Sequence, residues 1–181
     1  TWIKDIMYEL SNIAKPNIND GDVVVDFGAG TGTSALLLLK HLKKDIRLWL
    51  VDNSPSWLSK AYEILNDNHN VEYFVLEKKG AEYATLAESV GAGAADYVIS
   101  ANTVHLIPDI RHAFAGIFAA LKNNGTFTFQ TGNFMRKDRP KGALMIDDTI
   151  KIVHDIAIDI VGSDSRFAIY RKGLDKRRRE E

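Results

Sequence analysis

The feature that most restricts this chain is a regular alternation of short β-branched runs with apolar stripes at helical spacing, opened by a glycine-rich turn. Val23-Val24-Val25 is a continuous apolar run ending at Asp26, as a strand buried on both faces reads. Gly28 to Gly32 then turns the chain, and Ala35 to Leu42 makes a helix. The pattern recurs. Arg47 to Val51 reads as a second strand, with Asp52 at its end. Ser54 follows as an N-cap with Pro55 at the first helical position, and Trp57, Leu58, Ala61, Ile64 and Leu65 supply that helix's buried stripe.

Val71 to Leu76 reads as the third strand, Asp96 to Ser100 as the fourth and Thr126 to Gln130 as the fifth. A short helix is expected near Ala84 to Val90. Ile110, Phe114, Ile117, Phe118 and Leu121 predict a longer one, closed by Asn124-Gly125. Parallel strands need such crossovers, so the alternation argues for βαβ units. Ile3, Ile6, Met7, Leu10, Ile13 and Ala14 add a leading amphipathic helix that stops before Pro16. Ile146 to Val161 is a last long helix, and Arg166 to Tyr170 forms one short strand at most. The expected fold is α/β: a Rossmann-like, doubly wound, mainly parallel sheet in three layers.

Length and charge narrow the function. The 181 residues suit a single domain over 1–181 with a sizeable core. A formal charge of −1 gives no broad basic footprint for nucleic acid. Lys176-Arg177-Arg178-Arg179 is followed at once by Glu180-Glu181 and reads as a solvated helical end. The absence of cysteine excludes disulfides, thiolate catalysis and cysteine metal sites, and fits a cytoplasmic protein. No run reaches the roughly 18 apolar residues that span a bilayer. The chain starts at Thr1, which suggests a fragment of a larger protein.

A glycine turn between a buried strand and a helix lets backbone approach a ligand closely. A dinucleotide fingerprint would place glycines at 28, 30 and 33, but position 33 is Thr33 and the third glycine is Gly32. No Gly-Lys-Ser/Thr follows, so this is not a phosphate-binding P-loop.

The stretch Val24-Val25-Asp26-Phe27-Gly28-Ala29-Gly30-Thr31-Gly32 resembles the first motif of class I S-adenosylmethionine-dependent methyltransferases. Asp96-Tyr97-Val98-Ile99-Ser100-Ala101-Asn102 resembles that family's fourth-strand motif, and Lys122-Asn123-Asn124-Gly125 stands where it usually has Lys-Pro-Gly-Gly. The resemblance covers roughly residues 20 to 133. It implies that Gly28, Gly30 and Gly32 face the methionine part of the cofactor and that Asp26 helps hold its amino group. Asp52, with Asn53 beside it, takes the place of the acid that accepts both ribose hydroxyls; two carboxylate oxygens suit a vicinal diol. Gly80, Ala81 and Glu82 fall in the adenine region, where the family often has an acid; Gly80 occupies that position, and Glu77 or Glu82 would have to substitute. Ala101 and Asn102 would border the methionine part. The family usually adds two more strands, the last antiparallel; none is legible after Val161, so the sheet is expected to lack its last two strands. The fifth strand would then be an open edge carrying Phe127 and Phe129, inviting self-association or the remaining part of a larger chain.

In such a family the protein aligns nucleophile, methyl and sulfur and excludes water. A base is needed only when the acceptor is a protonated oxygen or nitrogen. His105, after the fourth strand, is the candidate catalytic residue. His112 and His154 lie on helices and are read as exposed, and His41 and His69 have no catalytic logic. No carboxylate cluster follows the fourth strand, so no metal is expected. The Asn/Asp-Pro-Pro-aromatic motif of base methylation is absent, which favours a small-molecule acceptor. Trp2 and Tyr8 are positioned to close over the cofactor, with core packing as the plainer role. A nicotinamide-dependent oxidoreductase and a non-catalytic cofactor-binding domain are the alternatives.

Overall fold

The computed structural model describes residues 2–68, 70–80, 82–131 and 146–170. The chain divides into two compact units, residues 1–132 and 133–181. The first begins with α1 (Trp2–Ala14) and continues β1 (Val23–Phe27), α2 (Thr33–Leu42), β2 (Arg47–Asp52), α3 (Pro55–Leu65) and β3 (Val71–Val75). A small antiparallel hairpin follows, β4 (Lys78–Lys79) with β5 (Glu82–Tyr83), then α4 (Leu86–Val90), β6 (Ala95–Ala101), α5 (Ile110–Ala120) and β7 (Leu121–Gln130).

The main sheet runs β3-β2-β1-β6-β7, every neighbouring pair parallel. Chain order reverses direction between β1 and β6, so this is the doubly wound α/β fold that the alternation predicts. Each central strand divides its side chains between two cores. Val24, Leu48, Leu50, Tyr97 and Ile99 pack with α1, α2 and α3 on one face. Val25, Phe27, Val51 and Val98 pack with Leu86 of α4 and Ile117 and Ala120 of α5 on the other. Burial on both faces is why these strands read as unbroken apolar runs. Among the described residues no strand pairs with the outer edge of β7, where Phe127 and Phe129 stack at 5.2 Å.

Several local expectations change. Trp57 and Ile64 leave the buried stripe of α3, being 51% and 48% exposed, while Leu58, Ala61 and Leu65 keep it. The period of 3.6 permits a wide stripe, but only its centre meets the sheet. Helix α5 stops at Ala120 rather than reaching Asn124-Gly125: Leu121 is extended and pairs with Ala95, and Phe118 points outward. The helix near residues 84–90 is shorter, Leu86–Val90, because Thr85 forms a capping box with Glu88.

Of the second unit, α6 (Ile146–Ser163) confirms the last helix. Ser165–Tyr170 forms a 3-10 helix where the sequence allows one short strand at most; Phe167 N donates to Asp164 O, a tight local turn that leaves no extended run for pairing. No helix among the described residues is long and apolar enough to cross a membrane.

Candidate functional site

A cavity of about 710 Å³ opens at the carboxyl ends of β1 and β6. Open α/β sheets bind ligands there because adjacent connections leave in opposite directions and part the backbone. Its volume falls in the range of small-molecule sites.

One side is the glycine turn. Gly28 N and Ala29 N both donate to Val51 O, at 2.8 and 3.1 Å, which draws the turn over the end of β2. Gly30 N donates to Asp52 Oδ2 at 2.9 Å, and Ser54 N donates to Asp52 Oδ1 at 2.9 Å. Each carboxylate oxygen therefore has one backbone partner and keeps acceptor capacity, and Asp52 lines the cavity.

The three glycines have different reasons to be glycine. A Cβ on Gly28 would lie 2.2 Å from Thr103 Cγ2, and one on Gly32 would lie 2.9 Å from Ala61 Cβ. Packing alone excludes side chains at both. A Cβ on Gly30 would meet only Trp57 ring carbons at 3.5 and 3.8 Å, an ordinary contact. Its backbone is left-handed, at φ +54°, and it lines the cavity.

The second side is the loop after β6. Ser100 Oγ donates to Phe27 O at 2.7 Å, and Thr103 Oγ1 donates to Gly28 O at 3.2 Å, tying this loop to the turn. Asn102 is held left-handed at φ 56°, its N–H donating to Gln130 O at 2.9 Å. Asparagine is among the few non-glycine residues that adopt this conformation readily. Leu106, Ile107 and Pro108 continue the lining, and His112 completes it from the first turn of α5.

Of the residues expected to contact a cofactor, Gly28, Gly30, Asp52, Asn53, Glu82, Ala101 and Asn102 line this one cavity. Gly32 lies under the turn, packed on α3, and Gly80 sits at the hairpin tip; neither is in the lining. Ala81 lies outside the described residues, as does His69. Asp26 is 2% exposed behind the turn, and among the described residues its Oδ2 has no hydrogen-bond partner. Burial, reinforced by the Asp52 charge, raises its carboxyl to about 7.

His105 is on the turn after β6, with Nδ1 3.1 Å from Thr131 Oγ1, and is not in the lining. His112, read as exposed, is half-buried and lines the cavity, Nε2 lying 3.4 Å from Tyr83 O. Tyr8 packs edge-on against His41 at 5.4 Å, while the Trp2 and His154 side chains lie outside the described residues. Sequence reasoning missed Trp57, Thr103 and His112. Trp57 carried one signal, a large aromatic three residues after the cap, but stripe spacing masked it.

Residues 25–127 match the methyltransferase domain family. The chain is 30% identical over 132 residues to the protein named probable polyketide synthase 41 of Dictyostelium discoideum, a match covering 64% of this chain and 5% of that one. It is 32% identical over 76 residues to carboxy-S-adenosyl-L-methionine synthase of Helicobacter pylori, covering 42% of this chain and 32% of the relative. These matches thus span a third or less of each curated relative. Among solved structures, Haemonchus contortus phosphoethanolamine N-methyltransferase 2, in complex with S-adenosylhomocysteine, superposes with a TM-score of 0.58 at 21% identity. That superposition covers 81% of this chain and 31% of the neighbour.

Proposed function

This chain belongs to the methyltransferase domain family, whose chemistry is methyl transfer from S-adenosylmethionine, and from that premise we propose that the cavity between β1 and β6 holds this cofactor beside a small organic acceptor. The observation that carries the placement is the pairing of Gly30 with Asp52. Gly30 is the turn glycine that packing does not explain, and Asp52 is a buried carboxylate with acceptor capacity left on each oxygen.

The residues present fit the cofactor's chemistry. Asp52 accepts the ribose hydroxyls, Asn53 and Glu82 flank the nucleoside, and the Gly28–Gly32 turn with Ala101 and Asn102 borders the amino-acid part. Asp26, buried behind the turn with its carboxyl raised to about 7, would accept from the cofactor's ammonium, its negative charge fully developed only above that pH. The bound cofactor supplies a methyl group made electrophilic by its sulfonium. The chain aligns the acceptor and excludes water. For a protonated acceptor, His105 is the proposed base and His112, the histidine within the lining, is its rival. No metal step is invoked.

The polyketide synthase match supports a second element, a methylation domain within a longer chain. A cytoplasmic location is proposed on the cysteine-free composition. Calorimetric titration with S-adenosylmethionine, followed by transfer of a labelled methyl group to a panel of small alcohols, amines and carbon acids, tests the reading. Folded protein that does not bind the cofactor overturns it.

A further inference from the structure

The main sheet ends in β3 on one side and β7 on the other, and the two edges differ. Proteins blunt edge strands with lysine, proline or a bulge, because a bare edge templates further pairing. β7 carries Lys122 and a register shift against β6 at its start. β3 has neither lysine nor proline and pairs with β2 in unbroken register over all five residues. Its one charge, the Glu72 carboxylate, takes a hydrogen bond from Trp49 Nε1 at 2.9 Å. Successive residues of a parallel strand bond to opposite sides. Leu48 N donates to Asn70 O and Leu76 N to Asp52 O, so residues 70, 72, 74 and 76 face β2. Val71, Tyr73 and Val75 face away. Val71 N turns back to Asn68 O at 3.3 Å. Among the described residues Val71 O and the N–H and C=O of Tyr73 and Val75 have no main-chain partner. The buried Tyr73 hydroxyl has no hydrogen-bond partner there either; its ring packs edge-on at 5.6 Å against Tyr62 of α3, which is exposed. The flanks of the strand carry opposite charge. Exposed Glu63 and Asp67 precede it, and exposed Lys78 and Lys79 follow it past Glu77, Lys79 also meeting Glu88 at 2.9 Å.

We propose that the β3 edge is an interface between two copies of this chain, paired antiparallel about a two-fold axis at Tyr73. Pairing through the outward-facing residues sets Tyr73 opposite its own copy and Val71 opposite Val75. Tyr73 N–H then meets Tyr73 C=O, and Val75 N–H meets Val71 C=O, each in both directions. The cross-strand neighbours are valine on valine and tyrosine on tyrosine, apolar pairs that favour a ladder. The axis also brings a second hydroxyl to the orphaned Tyr73 hydroxyl. Antiparallel direction lays Glu63 and Asp67 of one copy along Lys78 and Lys79 of the other, whereas parallel pairing would set like flanks together. The strand is complementary to itself in hydrogen bonding, side chains and charge, which is why the occupant is a second copy.

Sedimentation of the full chain across a concentration series is expected to show monomer and dimer and nothing larger, because a two-fold closes. Val75→Pro removes an outward N–H that the monomer does not use, and edge strands tolerate proline at such a position. It is expected to weaken the dimer about tenfold or more, since one hydrogen bond is lost on each side of the axis. The chain has no cysteine, so introduced thiols report the register. A mixture of Val71→Cys and Val75→Cys chains is expected to cross-link under mild oxidation. Val71→Cys alone is not, its two thiols lying about 13 Å apart along the strands in this register. A chain that stays monomeric throughout would overturn the proposal. So would a dimer that Val75→Pro leaves intact, or Val71→Cys linking to itself and not to Val75→Cys. A dimer lost in Phe129→Lys and kept in Val75→Pro would move the interface to β7 and overturn it as well. Circular dichroism of each variant confirms folding.

Discussion

The two sides of the cavity are built on different principles. The turn side is made of backbone: Gly28 N, Ala29 N, Gly30 N and Ser54 N all donate to the end of β2, to Val51 O or the Asp52 carboxylate. The loop side is made of side chains, with Leu106 68% exposed and Ile107, Pro108 and His112 around it. Main-chain hydrogen bonds repeat whatever side chains surround them, so the turn side suits an invariant ligand. Exposed apolar side chains can be exchanged at little cost, so under the proposed methyl-transfer reading the loop side is the natural place for acceptor preference.

The strongest test of that contrast lies within the turn side. Gly28→Ala adds a Cβ 2.2 Å from Thr103 in a left-handed backbone, combining overpacking with strain. It should cost about 3 kcal/mol or more of stability in urea denaturation. Gly30→Ala incurs the backbone strain alone, about 1–2 kcal/mol, yet should lower S-adenosylmethionine affinity more than tenfold. Equal destabilisation by both would erase the distinction between a packing glycine and a binding one. Asp52→Ala comes next: loss of a charged acceptor should weaken cofactor binding by about 1.5–3 kcal/mol by calorimetry. Unchanged affinity in a folded variant would remove Asp52 from the site.

Asp26 gives an effect on stability that depends on pH. Its carboxyl is raised from 3.8 to about 7. Below pH 4 native and unfolded chains both keep the proton, and the contribution is fully present. Between pH 4 and 7 only the native state holds it, so stability falls as pH rises, by at most about 1.4 kcal/mol per unit, and levels off above 7. Denaturation curves of Asp26→Asn should lack this slope. On the loop side, Leu106→Ala should change stability by less than about 0.5 kcal/mol and cofactor affinity by less than about twofold, while altering which acceptors turn over. A large loss of cofactor affinity would extend the cofactor's site from Ala101 and Asn102 to Leu106 and break the contrast.

The turn side was also the legible one. Val23-Val24-Val25, the glycines and Asp52 are consecutive or at the end of a strand, so local pattern carries them. The loop side was not. His112 enters the cavity only because α4 packs close to α5, where Gly116 leaves no room for a Cβ beside Thr85. That approach is tertiary and leaves no periodic trace. The end of α5 was misread because Asn124-Gly125 is an ordinary helix stop, whereas Leu121 is claimed earlier by pairing with Ala95. Trp57 fits a helical stripe as well as a wall, and only the position of the sheet decides.

For a lineage carrying this chain, positions 28 and 103 form one heritable unit. The methyl and hydroxyl of Thr103 fill the space a side chain at 28 would need, and the hydroxyl donates to the carbonyl of Gly28. A mutation that enlarges residue 28 first must pass through a clash. A mutation that shrinks residue 103 first leaves only a small void and one lost hydrogen bond. The second order of steps removes the clash but leaves residue 28 in a left-handed backbone at φ +79°, which still disfavours a side chain.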